Sequence, residues 1–145
     1  MLRDAEFWRL IDTIDAQALS DGDEEGAIEP LREALEGLEK AELEGFEEQL
    51  AQKLYAIDGK EYADAAGESG ESGDGFLYAR CYVVARGQAF YESVRKSPKA
   101  MPTSSDDWCE LLLFAAAEAF TNSTGETWEF AASVSYETGS NTALW

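Results

Sequence analysis

The sequence predicts a mostly α-helical protein, a single-domain orthogonal bundle of about six helices that spans residues 1–145. The first observation is the length, because 145 residues is a common size for one domain and allows one buried core. The second is the composition, since 45% hydrophobic and 12% aromatic residues are too many for a disordered chain. The third is that apolar residues recur every three or four positions, which is the period of an amphipathic helix.

Two helices are predicted before residue 40. The first spans residues 5–19, where one face carries Phe7, Trp8, Ile11, Ile14 and Ala18. Residues 20–26 hold two glycines within a dense acidic run, which predicts a loop. The second helix is predicted to begin at Pro30, because proline is preorganised for the first helical turn and its missing N–H would have no partner there.

The middle of the chain predicts three further helices. Residues 40–57 carry the clearest apolar stripe, and residues 60–66 form a short helix before a loop at 67–73. Residues 76–85 are apolar almost throughout, and alone they would also suit a buried strand. A helix capped by Ser72 or Asp74 is favoured, because the segment is longer than a typical strand.

Two more helices are predicted in the second half of the chain. Residues 88–96 form the first, and Pro98 and Pro102 bound the linker that follows. The last clear helix runs from residue 106 to about residue 121. Its start is predicted from Asp107 and Glu110, whose spacing is that of an N-terminal capping pair.

The tail, residues 122–145, has a different pattern. Apolar and polar residues alternate over residues 128–137, which is the period of a half-buried strand. No second strand is predicted elsewhere in the chain. The tail is therefore expected either to pair in a dimer or to lie as an extended arm across the helices.

The charge is large, negative and uneven. The chain has 30 acidic and 11 basic residues, a net charge of −19, and 22 of the acidic but only 6 of the basic residues lie in residues 1–75. Such a field repels nucleic acids and acidic membrane surfaces and attracts basic proteins. We therefore expect no nucleic-acid and no membrane partner, although an acidic surface also serves plain solubility.

Several classes of site are excluded or disfavoured by composition. The chain contains no histidine, so a histidine general base and a histidine-ligated metal are impossible. Cys81 and Cys109 fit no metal-ligand spacing and are predicted to be reduced core residues. No apolar run of 18 residues and no signal-peptide pattern at the N-terminus are present, which favours the cytoplasm. No cofactor is predicted.

Two segments resemble a known family. Residues 7–12 read FWRLID, and residues 72–87 read SGDGFLYARCYVVARG. They are similar to the motifs F-W-x-L-I and S-D-D-x-F-x-x-F-R-x-W-L-I-x-x-G of the bacterial domain-of-unknown-function family number 4240, with Gly73, Ala79 and Tyr82 as departures. The resemblance covers most of the chain and implies a bacterial, cytoplasmic, mainly helical domain. It implies no activity.

One segment resembles a calcium-binding loop in its spacing. Counted from Asp21, carboxylates occupy positions one, three, five and nine of an EF-hand loop, and a glycine occupies position six. Position twelve, which should supply a bidentate glutamate, is Arg32. We therefore expect an acidic solvated loop and no metal site.

The start of the central helix supplies a second candidate, formed by Ser72, Asp74 and Arg80. Arg80 is the only charged residue within residues 76–85, so it must be buried and needs a carboxylate or carbonyl partners. A structural ion pair is the simpler interpretation. The functional alternative is a clamp in which the Arg80 guanidinium binds an anion or a peptide carboxylate.

The third candidate is an acidic face on the second and third helices. Its proposed binding residues are Glu36, Glu39, Glu44, Glu47 and Glu48, and the neighbouring Glu29, Glu33 and Glu42 extend it. A solvated face is one interpretation. The other is a docking surface for a basic protein, because charge complementarity speeds encounter and selects partners.

The sequence thus favours an acidic protein-binding module of the regulatory, inhibitor or immunity type with a basic protein partner. The alternative is an enzyme or metal-binding protein that uses carboxylates with arginine and tyrosine. A concave pocket with converging Asp, Arg and Tyr would favour the enzyme, and an exposed acidic helix face would favour the binding module.

Overall fold

The computed structural model describes residues 2–145 and confirms a mostly helical protein. No β-strand occurs within those residues. The eight α-helices are α1 (Asp4–Ile11), α2 (Ala16–Ser20), α3 (Glu24–Glu36), α4 (Lys40–Ala56), α5 (Lys60–Ala65), α6 (Gly73–Ala85), α7 (Gln88–Lys96) and α8 (Ala115–Thr124). Short 3-10 helices lie at Gly67–Glu71, Pro98–Ala100, Glu110–Phe114 and Thr142–Leu144.

Helix α6 lies at the centre of the core, as its apolar sequence predicts. Ten of its 13 residues are buried, and it contacts α4, α7 and the 3-10 helix at Glu110–Phe114. The Ser72 hydroxyl accepts a hydrogen bond from the Gly75 N–H and caps the helix. Gly87, at φ 105°, separates α6 from α7 in a backbone conformation that side chains with a Cβ rarely adopt.

The predicted first helix is two helices, α1 and α2. The chain leaves α1 at Asp12, and the Thr13 hydroxyl donates to the Leu10 carbonyl. The Asp15 carboxylate then accepts hydrogen bonds from the N–H groups of Gln17 and Ala18 and starts α2. The apolar period continues across the break, and Ile14 is buried, so periodicity alone did not reveal it.

The prediction that the second helix begins at Pro30 is wrong, because α3 begins at Glu24. The Asp23 carboxylate accepts a hydrogen bond from the Gly26 N–H, and two glutamates in the first turn suit the positive end of the helix dipole. Pro30 lies inside α3 and cannot donate to the Gly26 carbonyl one turn before it. Most of the predicted loop at 20–26 is therefore the end of α2 and the start of α3.

The predicted helix from residue 106 begins later than expected. Residues 110–114 form a 3-10 helix, and α8 begins at Ala115, so the Asp107–Glu110 cap does not form. Tertiary contacts explain the difference. The Cys109 N–H donates to the Tyr78 carbonyl, and the Trp108 indole N–H donates to the Ser69 hydroxyl at 2.9 Å. These bonds hold the segment against α6 and the 3-10 helix Gly67–Glu71 instead of allowing a regular helix.

Residues 125–145, which we call the arm, lie across the helices. The arm is extended over residues 127–136, turns at residues 137–140 and ends in the 3-10 helix Thr142–Leu144. Gly125 ends α8 in the left-handed conformation, and the Trp128 ring packs edge-on against Phe120. Along residues 127–140, exposed and half-buried side chains alternate as the sequence predicts. The alternation places one side of the arm on the helices, and it does not make a strand.

Candidate functional site

Arg80 is fully buried and is held by carbonyl groups, not by a carboxylate. Its guanidinium donates to the Leu54 carbonyl at the end of α4 and to the Tyr136 carbonyl of the arm, both at 3.0 Å. It also donates to the Thr138 hydroxyl at 3.1 Å, and it lies 4.7 Å from the centre of the Phe76 ring. Its Nε has no partner among residues 2–145. The predicted ion pair with a carboxylate is therefore absent from the described residues, and carbonyl groups, the other predicted partners, hold Arg80 instead.

Burial dominates the electrostatics of Arg80. It lowers the pKa of the guanidinium from its ordinary value, and the charges of Asp58 and Glu137 act in the opposite direction. Asp58 is near enough to affect this pKa, but in the described residues it makes no ion pair with Arg80 within 4.0 Å. The guanidinium remains a cation, since arginine keeps its proton under all ordinary conditions.

Asp58, directly after α4, is the second buried charged residue at this place. Its carboxylate accepts hydrogen bonds from the N–H groups of Gly139 and Asn141 and from the indole N–H of Trp145, at 2.9–3.0 Å. All three donors belong to the arm. Burial of a carboxyl group is tolerated when several N–H groups satisfy its oxygens, so the arm supplies the hydrogen bonds that the buried Asp58 requires.

Glu48, on the exposed side of α4, holds the arm nearer its start. It accepts hydrogen bonds from the N–H and the hydroxyl of Ser133 and from the side chain of Gln52. These hydrogen bonds lower the pKa of Glu48. We call the surface formed by Glu47, Glu48, Asp58 and Arg80 the arm groove, because the arm runs over all four.

Glu47 lacks the hydrogen bonds that Glu48 receives. Its Oε1 is buried and has no partner among residues 2–145, and burial raises the pKa of Glu47 to about 7. It lines a cavity of about 360 Å³ together with arm residues 130–137. The arm thus covers a carboxyl group without offering it a donor.

The other predicted binding residues are distributed over several places. Ser72 caps α6, and Asp74 is exposed in the first turn of that helix, so neither contacts the Arg80 guanidinium. Glu39 begins α4 in a reciprocal capping box with Glu42. Glu44 lies on α4 and is partly exposed.

On α3, four glutamates form an exposed stripe that we call the α3 stripe: Glu25, Glu29, Glu33 and Glu36. Arg32 lies within it, and its guanidinium pairs with Glu25, Glu29 and, on α8, Glu118. The carboxylates of Glu29 and, to a smaller extent, Glu118 raise the pKa of Arg32. Glu36 accepts one long hydrogen bond, 3.3 Å, from Asn122.

The segment that resembles a calcium loop has another structure. From Glu24 onward its carboxylates belong to a helix, and the Asp23 carboxylate is used as a cap. Across the described part of the chain, no group of three or more Cys, Asp or Glu side chains is arranged to hold a metal ion. The two thiols are buried and unpaired by a disulfide, and burial raises the pKa of both.

A cleft of about 380 Å³ between α5, α7 and the end of the arm contains residue types that the enzyme alternative requires. Glu61, Tyr62 and Arg95 line it. The Tyr62 hydroxyl donates to the Arg95 carbonyl at 2.8 Å, and the Arg95 guanidinium pairs with Glu92 at 3.1 Å. Both side chains are therefore engaged in structural contacts rather than directed at a common point.

A family model described as "Protein of unknown function (DUF4240)" matches residues 2–122. The chain belongs to the DUF4240 family. No curated protein and no solved structure matches it. Within residues 2–145, none of the helices has the length and apolar character needed to cross a membrane.

The DUF4240 match includes the residues that bind the arm but not the arm itself. Asp58 and Arg80 lie inside the matched residues, whereas the arm begins three residues after the match ends. The sequence predicts a buried Arg80, but it does not predict a role for Asp58. A single aspartate after a helix carries no local signal, and its partners lie more than 80 residues away along the chain.

Proposed function

We propose that this DUF4240 protein is an acidic binding module of the bacterial cytoplasm, of the regulatory, inhibitor or immunity type, which docks a basic partner protein. The observation that carries the proposal is the α3 stripe, a row of exposed carboxylates along one side of a 13-residue helix. The net charge of −19 extends the same negative field around the molecule.

The stripe keeps most of its charge in the folded protein. One arginine, Arg32, offsets part of the charge of Glu25 and Glu29. Glu33 and Glu36 have no ion-pair partner within residues 2–145, and both are exposed to solvent. Exposed charges of one sign steer an oppositely charged partner and fix its orientation, although each contributes little affinity by itself.

Capture from a native cytoplasmic extract tests the proposal. The immobilised protein is exposed to the extract at about 0.01 M and 0.15 M salt, where the screening length falls from about 30 Å to 8 Å, and bound proteins are identified by mass spectrometry. We expect a basic protein that is retained at low salt and weakly retained at the higher concentration.

Matched variants locate the interaction. Glu33→Gln with Glu36→Gln neutralises the unpaired part of the α3 stripe, and Glu61→Gln with Glu71→Gln removes two equally exposed charges elsewhere. At the lower salt concentration the first pair should retain clearly less of the captured protein than the second, which should retain as much as the wild type. Capture of an acidic protein, or equal capture by both variants, would contradict the proposal.

A further inference from the structure

The arm is held by backbone groups and by side chains. The Ser133 N–H donates to Glu48, the Tyr136 carbonyl accepts from Arg80, and the N–H groups of Gly139 and Asn141 donate to Asp58. The side chains of Ser133, Thr138, Asn141 and Trp145 make further hydrogen bonds. Because every polypeptide carries the backbone groups, the arm groove has donors and acceptors for another peptide that follows the same backbone path.

The groups that bind the arm are fixed in the body of the protein. Arg80 and Asp58 are both fully buried, and each is positioned by a helix or its immediate end. A buried charge without hydrogen-bond partners is strongly unfavourable. Any segment that replaces the arm must therefore make the same backbone contacts, which requires an extended stretch like residues 130–136 followed by a turn like the one at residues 137–140, where Gly139 has φ 92°.

The arm is a poor electrostatic match for this surface. It carries three glutamates, Glu126, Glu129 and Glu137, and no lysine or arginine. It covers three carboxyl groups, Glu47, Glu48 and Asp58, against the single cation Arg80. The Glu47 Oε1 beneath it is buried with no donor among the described residues. A lysine or arginine at this point would supply the missing donor.

We propose that the arm groove is the binding site for a lysine- or arginine-containing segment of the partner protein that follows the backbone path of the arm, and that the arm is an internal occupant which this segment displaces. The inference rests on the proposed function and assigns the partner to a second surface, distinct from the α3 stripe. The stripe steers the basic partner, and the groove binds this segment.

Displacement of the arm sets the apparent affinity. Because the arm is tethered, its effective concentration at the groove is high, on the order of millimolar for a short flexible connection. The partner segment binds only the fraction of molecules in which the arm is released, so a weaker arm increases its apparent affinity. The arm thereby excludes segments that lack the basic side chain.

Binding of synthetic peptides to the full-length protein tests the inference. One peptide has the sequence of residues 130–145, and a second carries Tyr136→Lys and Glu137→Lys, which places ammonium groups at two of the arm residues that line the cavity beside Glu47. We expect the lysine peptide to bind about tenfold more tightly, since one added buried ion pair of about 1.4 kcal/mol has that effect. Amide exchange at Gly139 and Asn141 should become faster when it binds.

Three variants separate the groove from general acidity. Thr138→Ala removes a hydroxyl that bonds Gly73 and Arg80, so it should loosen the arm and strengthen peptide binding. Glu47→Gln should remove the preference for the lysine peptide. Glu33→Gln, on the α3 stripe, should leave that preference unchanged. The melting midpoint of each variant is measured to confirm that it folds.

The outcomes distinguish the inference from the proposed function. Equal binding of the two peptides, or no increase in exchange at Gly139 and Asn141, overturns the groove as a binding site. If the lysine peptide is instead lost in Glu33→Gln and unaffected by Glu47→Gln, the basic partner binds the α3 stripe alone. In that case the proposed function stands and the groove inference fails. Capture from the extract decides the proposed function separately.

Discussion

Arg80 is a buried cation whose partners are carbonyl oxygens from two distant segments. The sequence around it predicts burial, because every neighbour within residues 76–85 is uncharged. It does not predict the partners, since the Leu54 and Tyr136 carbonyls lie 26 and 56 residues away. The local sequence therefore predicts that Arg80 is buried, whereas its hydrogen-bond partners depend on how α4 and the arm pack on α6.

Replacement of Arg80 should destabilise the whole protein. In Arg80→Ala two carbonyls lose their donor, and each unsatisfied buried group costs about 1–3 kcal/mol. We expect a loss of about 3 kcal/mol or more in the free energy of unfolding, measured by urea denaturation. Arg80→Lys should recover part of the loss, because an ammonium group cannot reach both carbonyls in the same geometry.

Arg95→Ala is the matched control for Arg80. Arg95 is exposed and pairs with Glu92 on the same helix, a contact of the kind that contributes little to stability. Its removal should leave the urea midpoint nearly unchanged. An unchanged midpoint in Arg80→Ala, with loss of peptide binding, would make Arg80 a binding residue without a structural role.

Glu47 should make stability depend on pH. Burial raises its pKa to about 7 in the folded protein from 4.5, so the folded state holds this proton more tightly than the unfolded state. The stability that this bound proton contributes to the folded state is fully present below about pH 4.5 and is lost as the pH rises through 7. Glu47→Gln should therefore be as stable as the wild type near pH 4.5 and more stable than it at pH 8.

The control for this pH profile is Glu33→Gln. Glu33 is exposed on α3 and has no ion-pair or hydrogen-bond partner within residues 2–145, so its replacement should change stability little. The measurement is the difference in free energy of unfolding between each variant and the wild type from pH 4.5 to 8. A difference for Glu47→Gln that does not change with pH would refute the raised pKa.

At the scale of helices, periodic apolar patterns predicted the helices that the core determines. Helices α4, α5, α6 and α7 begin and end within a few residues of the predicted positions. The misplaced boundaries are those fixed by polar side chains. Asp15 and Asp23 start helices where periodicity gave no signal, and Pro30 continues a helix that it was predicted to begin. Capping hydrogen bonds and tertiary contacts decided these boundaries.

The alternating pattern of the arm was consistent with two structures, a strand paired in a dimer and an extended arm across the helices. Alternation along residues 128–137 predicts that one side faces the protein, which is what the structure has. Alternation cannot say whether the backbone bonds to another strand. Here its N–H and carbonyl groups bond to side chains of Glu48, Arg80 and Asp58. Side chains from helices replace the missing partner strand.

Asp58→Asn should release the end of the arm without unfolding the core. An asparagine keeps one acceptor oxygen and places an amino group against either the Gly139 or the Asn141 N–H. We expect the substitution to reduce the free energy that holds the arm on the helices by about 1.4 kcal/mol. Amide exchange at Gly139 and Asn141 should then accelerate about tenfold, while exchange in α6 stays slow. Asp64→Asn, exposed beside Lys60, is the control.

Equal exchange rates at Gly139 and Asn141 in Asp58→Asn and Asp64→Asn would mean that Asp58 does not hold the arm. A parallel acceleration in α6 would mean that the arm and the core unfold together. The prediction requires that exchange becomes faster at the Gly139 and Asn141 amides and not in α6.

At the scale of the whole molecule, composition predicted the fold class, and the charge count predicted the character of the surface. Of the 30 acidic residues, 20 are exposed, nine are half-buried and Asp58 is fully buried. The predicted acidic residues do not share one face, because Glu47 and Glu48 lie under the arm and the α3 stripe is a separate row. The sequence predicts which residues share one face of a helix, but it does not predict the path of the arm across the helices.

The association rate with the captured partner tests the proposed function most directly. The rate constant is measured by stopped flow at about 0.01 M and 0.15 M salt, for the wild type and for Glu33→Gln with Glu36→Gln. A negative field that steers a basic partner predicts a fall of about tenfold or more for the wild type and a smaller fall for the variant. A rate that is the same at both salt concentrations would contradict the assignment of this protein as an acidic binding module.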